Sequence, residues 1–412
     1  MNRKISVNLA ITIAIIAMTV TFSITIILAM QMFDNTVSSV NEKEQQYAKL
    51  SELDRYVRAN EYYEIKNDTL NDMLGSGYVL GTGDRNARYY TAKSYTELLD
   101  IQSGKLVGIG VEAMNDSSSG YARITKVYAD SPASELGMVE GGYITRINDV
   151  DVKTLTSSDA ITAALRGEAG TSVSITYLGL DMTETAYEVT RRSYAVPTVI
   201  SRMLGTECGY IDLSDFNEST GADFSYGVNR LISGGAKYLV IDLRGTSSTD
   251  LDEALRCADT LVPEGDMALI EYRNGTREVL GSSDESSCSV PVVCVVDNAT
   301  ANAAELLAAV VRQAGNGRIV GDRTAGKGVV MSQPHRMSDG SAVVITTGKL
   351  IMADESSFDG VGLTLDNETS LNQDELPFAG ESVEDSDTQI RKAVEVAANM
   401  LTNTGTAEAA QK

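Results

Sequence analysis

The sequence predicts a multidomain α+β protein, and three observations carry that expectation. An apolar run near the N-terminus has the length of a membrane helix. A glycine-punctuated, strand-rich stretch occupies the first half of the chain. Beyond it, short and fully apolar runs alternate with helical stretches, the pattern of an α/β sheet whose strands are buried on both faces. With 412 residues the chain has room for two or three folding units. Hydrophobic residues make up 43% and charged residues 22%, the balance of a globular chain. A net charge of −23 repels phosphate backbones and anionic headgroups, which argues against nucleic acid as a partner. One histidine, His335, and four scattered cysteines lack the ligand spacing of a zinc site, so no metal or cofactor is expected.

The N-terminal element (1–33) begins with Arg3 and Lys4, followed by 29 uncharged residues from Ile5 to Phe33. About 20 apolar residues span a bilayer as a helix. The run exceeds the apolar core of a cleaved signal and ends without a small-x-small site. It is therefore expected to be a single-pass anchor, with a cytoplasmic N-terminus and an extracytoplasmic bulk. The segment 34–104 is expected to be helical. Tyr47, Leu50, Leu53 and Val57 fall at helical spacing among charged residues, which reads either as a stalk or as a homodimer contact. A second short helix, Thr69 to Leu74, precedes a turn-rich stretch from Gly75 to Asp84.

Residues 105–190 form the next unit. Leu106-Val107-Gly108-Ile109-Gly110-Val111 joins a small-residue loop to a strand. Ile124 to Tyr128 reads as a strand, Ser131-Pro132-Ala133-Ser134 as a helix start, and Ser157 to Leu165 as a helix. Gly137-Met138 and the paired Gly141-Gly142 stand between the helix start and the strand at Tyr143. This order resembles a PDZ domain. The resemblance implies a groove that takes a peptide as an added strand and holds a terminal carboxylate on loop amides. The implied binding residues are Val107, Gly108, Ile109, Gly110 and Val111.

Residues 191–400 alternate strands and helices, and 401–412 form a tail. Gly209 to Leu213 and Tyr238 to Leu243 flank a helical stretch from Gly221 to Ile232. Met267 to Leu280 pivots on Asn274-Gly275, a strong hairpin signal. Val290 to Val296 is an uninterrupted apolar run, followed by Asp297-Asn298-Ala299-Thr300-Ala301 and a helix from about Asn302 to Gln313, with Gly317 ending that region. A strand-to-helix turn of this kind is a common place for a nucleophile, because a helix N-terminus favours negative charge.

Taken together, the order resembles the carboxyl-terminal processing peptidases, or tail-specific proteases, whose core is of the crotonase/Clp-like α/β kind. Gly83-Asp84, Tyr90, Tyr95 and Leu98-Leu99 are similar to the family's signature before the PDZ unit, with Arg85 where Pro is usual. Arg166-Gly167-Glu168-Ala169-Gly170-Thr171 and Val196-Pro197-Thr198-Val199 match its later connectors. Phe216-Asn217-Glu218, Asp242-Leu243-Arg244, Thr324-Ala325-Gly326-Lys327-Gly328 and Asp339-Gly340-Ser341-Ala342 match segments of its core. The resemblance implies a Ser–Lys peptidase, in which a neutral lysine takes the serine proton and no histidine is needed.

Several positions depart from that chemistry. The implied catalytic lysine is Lys327, and the family's serine, 25 residues earlier, corresponds to Asn302 within Thr300-Ala301-Asn302-Ala303-Ala304-Glu305. An amide nitrogen delocalised into its carbonyl is a very poor nucleophile. The glutamine that orients the lysine corresponds to Met331, and two oxyanion-hole glycines correspond to Ser248 and Thr249. Thr300 is the one displaced hydroxyl near enough in sequence to act instead. Lys327 is expected to pack or to pair near Glu305, His335 to lie on the surface, and Asp366 to Asp387 to be a solvated acidic face.

The expected function is that of a pseudoprotease that binds polypeptide C-termini or a partner protease through its PDZ unit. An active Ser/Thr–Lys endopeptidase and a purely structural membrane-proximal scaffold are the alternatives.

Overall fold

The computed structural model describes residues 18–22, 24–26, 47–155, 157–284, 288, 290–370 and 387–410. Two compact units divide the chain, Met1–Leu74 and Gly75–Lys412. In the first, a helix α1 (47–60) carries Tyr47, Leu50, Leu53 and Tyr56 exposed, with Val57 half-buried. Within the apolar run Ile5 to Phe33, residues 18–22 and 24–26 are helical; the remainder lies outside the described residues. Spanning takes about 20 continuous apolar residues. Among the described residues no helix is long and apolar enough to cross a membrane. That finding overturns the single-pass membrane localisation, and with it the cytoplasmic and extracytoplasmic assignments.

Helix α2 (Asn67–Gly81) runs well past the Leu74 end expected of it, through Gly75 and Gly77. Gly75 serves close packing rather than a turn, since a Cβ there would sit 2.5 Å from the Tyr89 ring. Next come β1 (Arg88–Tyr90), α3 (Ala92–Gln102) and β2 (Lys105–Gly108), with Thr91 capping α3 by accepting the Ser94 N–H.

An antiparallel sheet then forms from β3 (Val111–Asn115), β4 (Ala122–Val127), a short α4 (Pro132–Glu135), β5 (Tyr143–Ile147), β6 (Val150–Asp151), α5 (Ser158–Leu165), β7 (Ser172–Leu178) and β8 (Glu184–Thr190). Its order is β3-β4-β5-β7-β8, with β6 on β5, so β3 is an edge strand. Alternating apolar residues bury Ile124, Ile144, Ile147, Val173 and Ile175 in a core of their own. Ser131 caps α4 with Pro132 behind it, and Ser157 caps α5, as the local sequence signals. A strand β9 (Arg192–Ala195) returns to pair with β2.

The second half holds β10 (Val199–Leu204), β11 (Cys208–Leu213), α6 (Thr220–Ser233), β12 (Tyr238–Asp242), β13 (Ser247–Ser248), α7 (Leu251–Asp259), β14 (Gly265–Tyr272), β15 (Arg277–Ser283), β16 (Val292–Val296), β17 (Ala301–Asn302), α8 (Ala303–Gln313) and β18 (Gly317–Gly321). It closes with β19 (Val329–Met331), β20 (His335–Arg336), β21 (Ala342–Val344), β22 (Thr346–Met352), β23 (Asn367–Glu368) and α9 (Thr388–Ala410). The central sheet runs β10-β11-β12-β16-β18-β23, parallel except for β10. Alternate residues of β12 and β16 enter two different cores. Leu239, Ile241, Val292 and Cys294 face α6, α7 and α8, whereas Val240, Val293 and Val295 face Ile390 and Ala393 of α9. Helix α8 stops at Gln313 with Gly315 at φ +85°, so Gly317 opens a strand rather than ending the helix. A second antiparallel sheet, β15-β14-β22-β19, stands beside it. Its β14–β15 hairpin turns at Asn274-Gly275, where the Asn274 side chain accepts the Thr276 N–H.

Candidate functional site

The strand-to-helix turn after β16 is stitched to the end of β12. Asp297 accepts the N–H groups of Gly245, Ala299 and Thr300. The Thr300 hydroxyl is fully buried, lies 2.9 Å from the Leu243 carbonyl and receives the Asp297 N–H. A hydroxyl committed in this way holds the turn. The turn then delivers β17 alongside β13, pairing Ser247 with Ala301 and Ser248 with Asn302 in parallel register.

Asn302 occupies the first position before α8 with φ +51° and ψ −100°. Such backbone costs roughly 1–3 kcal/mol and clusters at functional sites, and its ψ lies outside the left-handed helical region that Asn adopts readily. Its side chain is only 1% exposed. Nδ2 donates to the carbonyl oxygens of Lys327 and Val329, both at 2.7 Å, while the buried Oδ1 has no partner among the described residues. Glu305, one turn into α8, is also fully buried. Its carboxylate accepts three backbone N–H groups, from Asn302 (3.0 Å), Gly326 (2.7 Å) and Lys327 (2.8 Å). Thus Glu305 meets the main chain of Lys327, and no ion pair joins the two side chains among the described residues. The expectation of a pairing near Glu305 is corrected to that extent: the carboxylate already accepts three backbone N–H groups.

A cleft of about 600 Å³ opens over this floor. Lys327, Met331, Ser248 and Thr249 all line it, so four of the positions singled out from sequence come together; Asn302 does not line it. The Lys327 amine sits below the usual lysine range because burial disfavours its charge and Arg88 repels it, with Glu305 pulling the other way. Met331 pairs with Thr346 of β22, and its sulfur lies 3.7 Å from the Thr346 hydroxyl. A thioether cannot donate, and it accepts only weakly, so it lacks the orienting capacity of an amide. Neither Ser248 nor Thr249 has a positive φ. Here the backbone has no need of the glycines, and the Ser248 hydroxyl accepts the Asp250 N–H at 3.3 Å.

Sequence reasoning missed four charged residues of the cleft, Arg88, Asp215, Asp250 and Asp252, and met a fifth, Glu218, only within a signature. Arg88 comes from β1, more than two hundred residues before Lys327, and no local pattern marks it. Asp84 was noted only as part of a signature; it accepts both the N–H and the hydroxyl of Thr346, tying the segment before β1 to β22. His335 is exposed in β20 and does not line the cleft, although its neighbour Pro334 does.

Gly108, Ile109, Gly110 and Val111 line a second, smaller groove of about 50 Å³ with Leu165, Arg166, Tyr128 and Tyr194. Val107 pairs with Ser193 in β2–β9 and is not among its lining residues. Gly110 has φ +82°, and a Cβ there would lie 2.0 Å from that of Ser131. The Tyr128 hydroxyl donates to Glu112, which together with burial raises the phenol above its usual range. Among the described residues no group of His, Cys, Asp and Glu side chains is arranged to hold a metal ion.

Residues 207–369 match the family model described as peptidase family S41. The chain is 28% identical over 320 residues to the carboxy-terminal processing protease CtpA of Bacillus subtilis, covering 77% of this chain and 67% of that one. It is 29% identical over 268 residues to the carboxyl-terminal-processing protease of Synechocystis, covering 64% and 62%. Among solved structures, the photosystem II D1 C-terminal processing protease aligns at a TM-score of 0.45 and 24% identity, covering 72% of this chain and 80% of that one. The chain thus spans between three fifths and two thirds of the length of these two curated relatives. It is homologous to carboxyl-terminal processing serine proteases.

Proposed function

We propose that this homologue of carboxyl-terminal processing serine proteases binds polypeptide C-termini without cleaving them. One observation carries the reading: the position matched to the catalytic serine holds Asn302, whose amide nitrogen spends its N–H bonds on the main-chain carbonyls of Lys327 and Val329. Acyl transfer needs a hydroxyl or thiol within about 3–3.5 Å of the reacting carbon and hydrogen-bonded to its base. Met331 and the Ser248-Thr249 segment remove the orienting amide and the glycine-built oxyanion site, and losing one oxyanion donor alone costs about 10²–10³ in rate. Thr300 as a displaced nucleophile is disfavoured, because its hydroxyl is buried and committed to Leu243 and Asp297.

The PDZ reading of residues 105–190 is supported by the open edge of β3 opposite α5, with the Gly108-Ile109-Gly110 loop at its end. A tail added to β3 would extend the sheet, and its carboxylate would meet the loop amides. The exposed apolar residues of α1 support a homodimer contact in the same assembly.

The test has two arms. Incubation with an unfolded reporter protein is expected to leave it intact, and cleavage that Lys327→Ala abolishes would overturn the non-catalytic reading. Peptides with a free apolar C-terminus are expected to bind more tightly than their amidated forms. Equal binding, or none, would defeat the groove assignment and leave a structural scaffold.

A further inference from the structure

One side chain joins the two faces of the central sheet. Arg244 lies just past β12, and its Nε and one terminal nitrogen hold the two oxygens of Asp242, at 2.9 and 2.6 Å. The other terminal nitrogen reaches the start of α9, 2.8 Å from the Asp387 carboxylate and 3.0 Å from the Gln389 side-chain oxygen. Asp242, Asp387 and Gln389 are all buried. Asp387 also accepts the N–H groups of Gln389 and Ile390, the bonds that cap a helix start. Gln389 in turn donates to Asp322, just past β18, and to the carbonyl of Thr369, just past β23. Strands β12 and β18 are the two neighbours of β16. The first turn of α9 therefore ties together the strand ends on either side of the one that leads to Asn302.

What Arg244 holds in place is a wall of the large cleft. Its backbone N–H also bonds Asp242, so one carboxylate fixes both its main chain and its side chain. Gly245 then turns at φ +71° and donates to Asp297. The buried Thr246 donates its hydroxyl to the Leu213 carbonyl, and its own carbonyl accepts the Ala301 N–H. These bonds lay Ser247 and Ser248 along Ala301 and Asn302, and Ser247, Ser248 and Thr249 line the cleft. None of the cleft's lining residues comes from α9, which packs on the other face of the sheet through Ile390 and Ala393.

We propose that Arg244 is a positioning residue through which the first turn of α9 sets the Gly245–Thr249 wall of the cleft. Charge-assisted, forked contacts on both sides leave the guanidinium one geometry. Removing the partner on one side leaves a buried charge uncompensated, so a change at Asp387 is felt at Arg244 and at the backbone it fixes. The C-terminal helix thereby controls the shape of a cleft that it does not touch. The inference holds whether or not the chain cleaves peptides.

Hydrogen exchange of the full chain, read by mass spectrometry, tests this with Asp387→Asn. The amide keeps an oxygen to cap α9 but withdraws the charge from Arg244. Exchange over 245–248 and 301–302 is expected to accelerate at least about tenfold, while 390–400 of α9 and 122–127 of the first antiparallel sheet keep their protection, the mark of a local opening. Arg244→Lys is expected to give the same pattern, since an ammonium lacks the fork that reaches Asp242 and α9 together. Acceleration confined to α9, acceleration spread evenly over the chain, or none at 245–248 would each overturn the proposal. If neither variant folds, Gln389→Met leaves both ion pairs of Arg244 in place and carries the same test, with an expected acceleration of about threefold at the same amides.

Discussion

Asn302 Nδ2 lies 2.7 Å from the carbonyl oxygen of Lys327, so the residue at the nucleophile's place grips the main chain of the would-be base rather than its amine. A second bond of equal length reaches Val329, which makes Asn302 the fastener between the α8 turn and the start of β19. Asn302→Ala leaves one buried and one part-buried carbonyl without that donor, each such loss costing about 1–3 kcal/mol when fully buried. The expected result is a fall of about 2 kcal/mol or more in unfolding free energy, read by urea denaturation, with no change in proteolysis. An unchanged midpoint would mean the amide does not hold the turn.

Glu305 makes the stronger fastening. Three backbone N–H groups converge on one fully buried carboxylate, and hydrogen bonds to charged groups contribute about 1.5–3 kcal/mol each. Glu305→Ala is expected to destabilise by at least about 3 kcal/mol, whereas Glu305→Gln keeps one acceptor oxygen and loses less. Hydrogen exchange at Gly326 and Lys327 is expected to accelerate selectively in the alanine variant.

The legible parts of this molecule are those written in local periodicity. Val292–Val296 declares itself a buried strand, Ser131-Pro132 a helix start and Asn274-Gly275 a hairpin because each signal sits within a few residues. Even the 25-residue interval from Asn302 to Lys327 survives as contact, through Nδ2 and the Lys327 carbonyl. The cleft's remaining charges were hidden for the opposite reason. Arg88 is carried on β1, which pairs with β21 of the distant C-terminal half, and only that tertiary pairing brings it near Lys327. Likewise Gly75 lies within α2 as the residue that leaves room for the Tyr89 ring, a tertiary contact that no helix propensity scale includes.

Lys327 is a half-buried amine whose side chain finds no counterion among the described residues, and its proton affinity is lowered chiefly by burial. In the unfolded chain the group titrates near its ordinary value, so just below that value the unfolded state binds more protons than the folded one. Stability therefore rises with pH between the lowered and the ordinary lysine pKa, and at neutral pH the charged amine opposes folding. Lys327→Met is accordingly expected to raise the thermal midpoint at pH 7 and to shrink that alkaline rise. A lower midpoint at pH 7 would show that the ammonium is favourably paired.

Gly110 joins two demands that no side chain meets, a φ of +82° and a neighbour, Ser131, where a Cβ would stand. Gly110→Ala is expected to destabilise the 105–190 unit by about 2 kcal/mol or more, from strain and overpacking together. It is also expected to abolish tail binding, read by titration with a free-acid peptide. Unchanged tail binding by a folded variant would remove Gly110 from the binding loop.

Repair is the sharpest test of the non-catalytic reading. Asn302→Ser restores a hydroxyl on a turn that still has φ +51°, but it also removes both bonds that fix the Lys327 main chain. Met331 and the Ser248-Thr249 segment stay as they are, so the amine remains unoriented and the oxyanion unsupported. Members of a catalytic unit act non-additively, and the single change is expected to recover no measurable cleavage of an unfolded reporter. Adding Met331→Gln, Ser248→Gly and Thr249→Gly supplies the missing parts together, and any recovered activity is expected only in this combination. It would appear with a pH profile rising as Lys327 loses its proton, because a neutral amine is what takes the serine proton. Activity restored by Asn302→Ser alone would show that the remaining site is already competent, and that a single residue silences it.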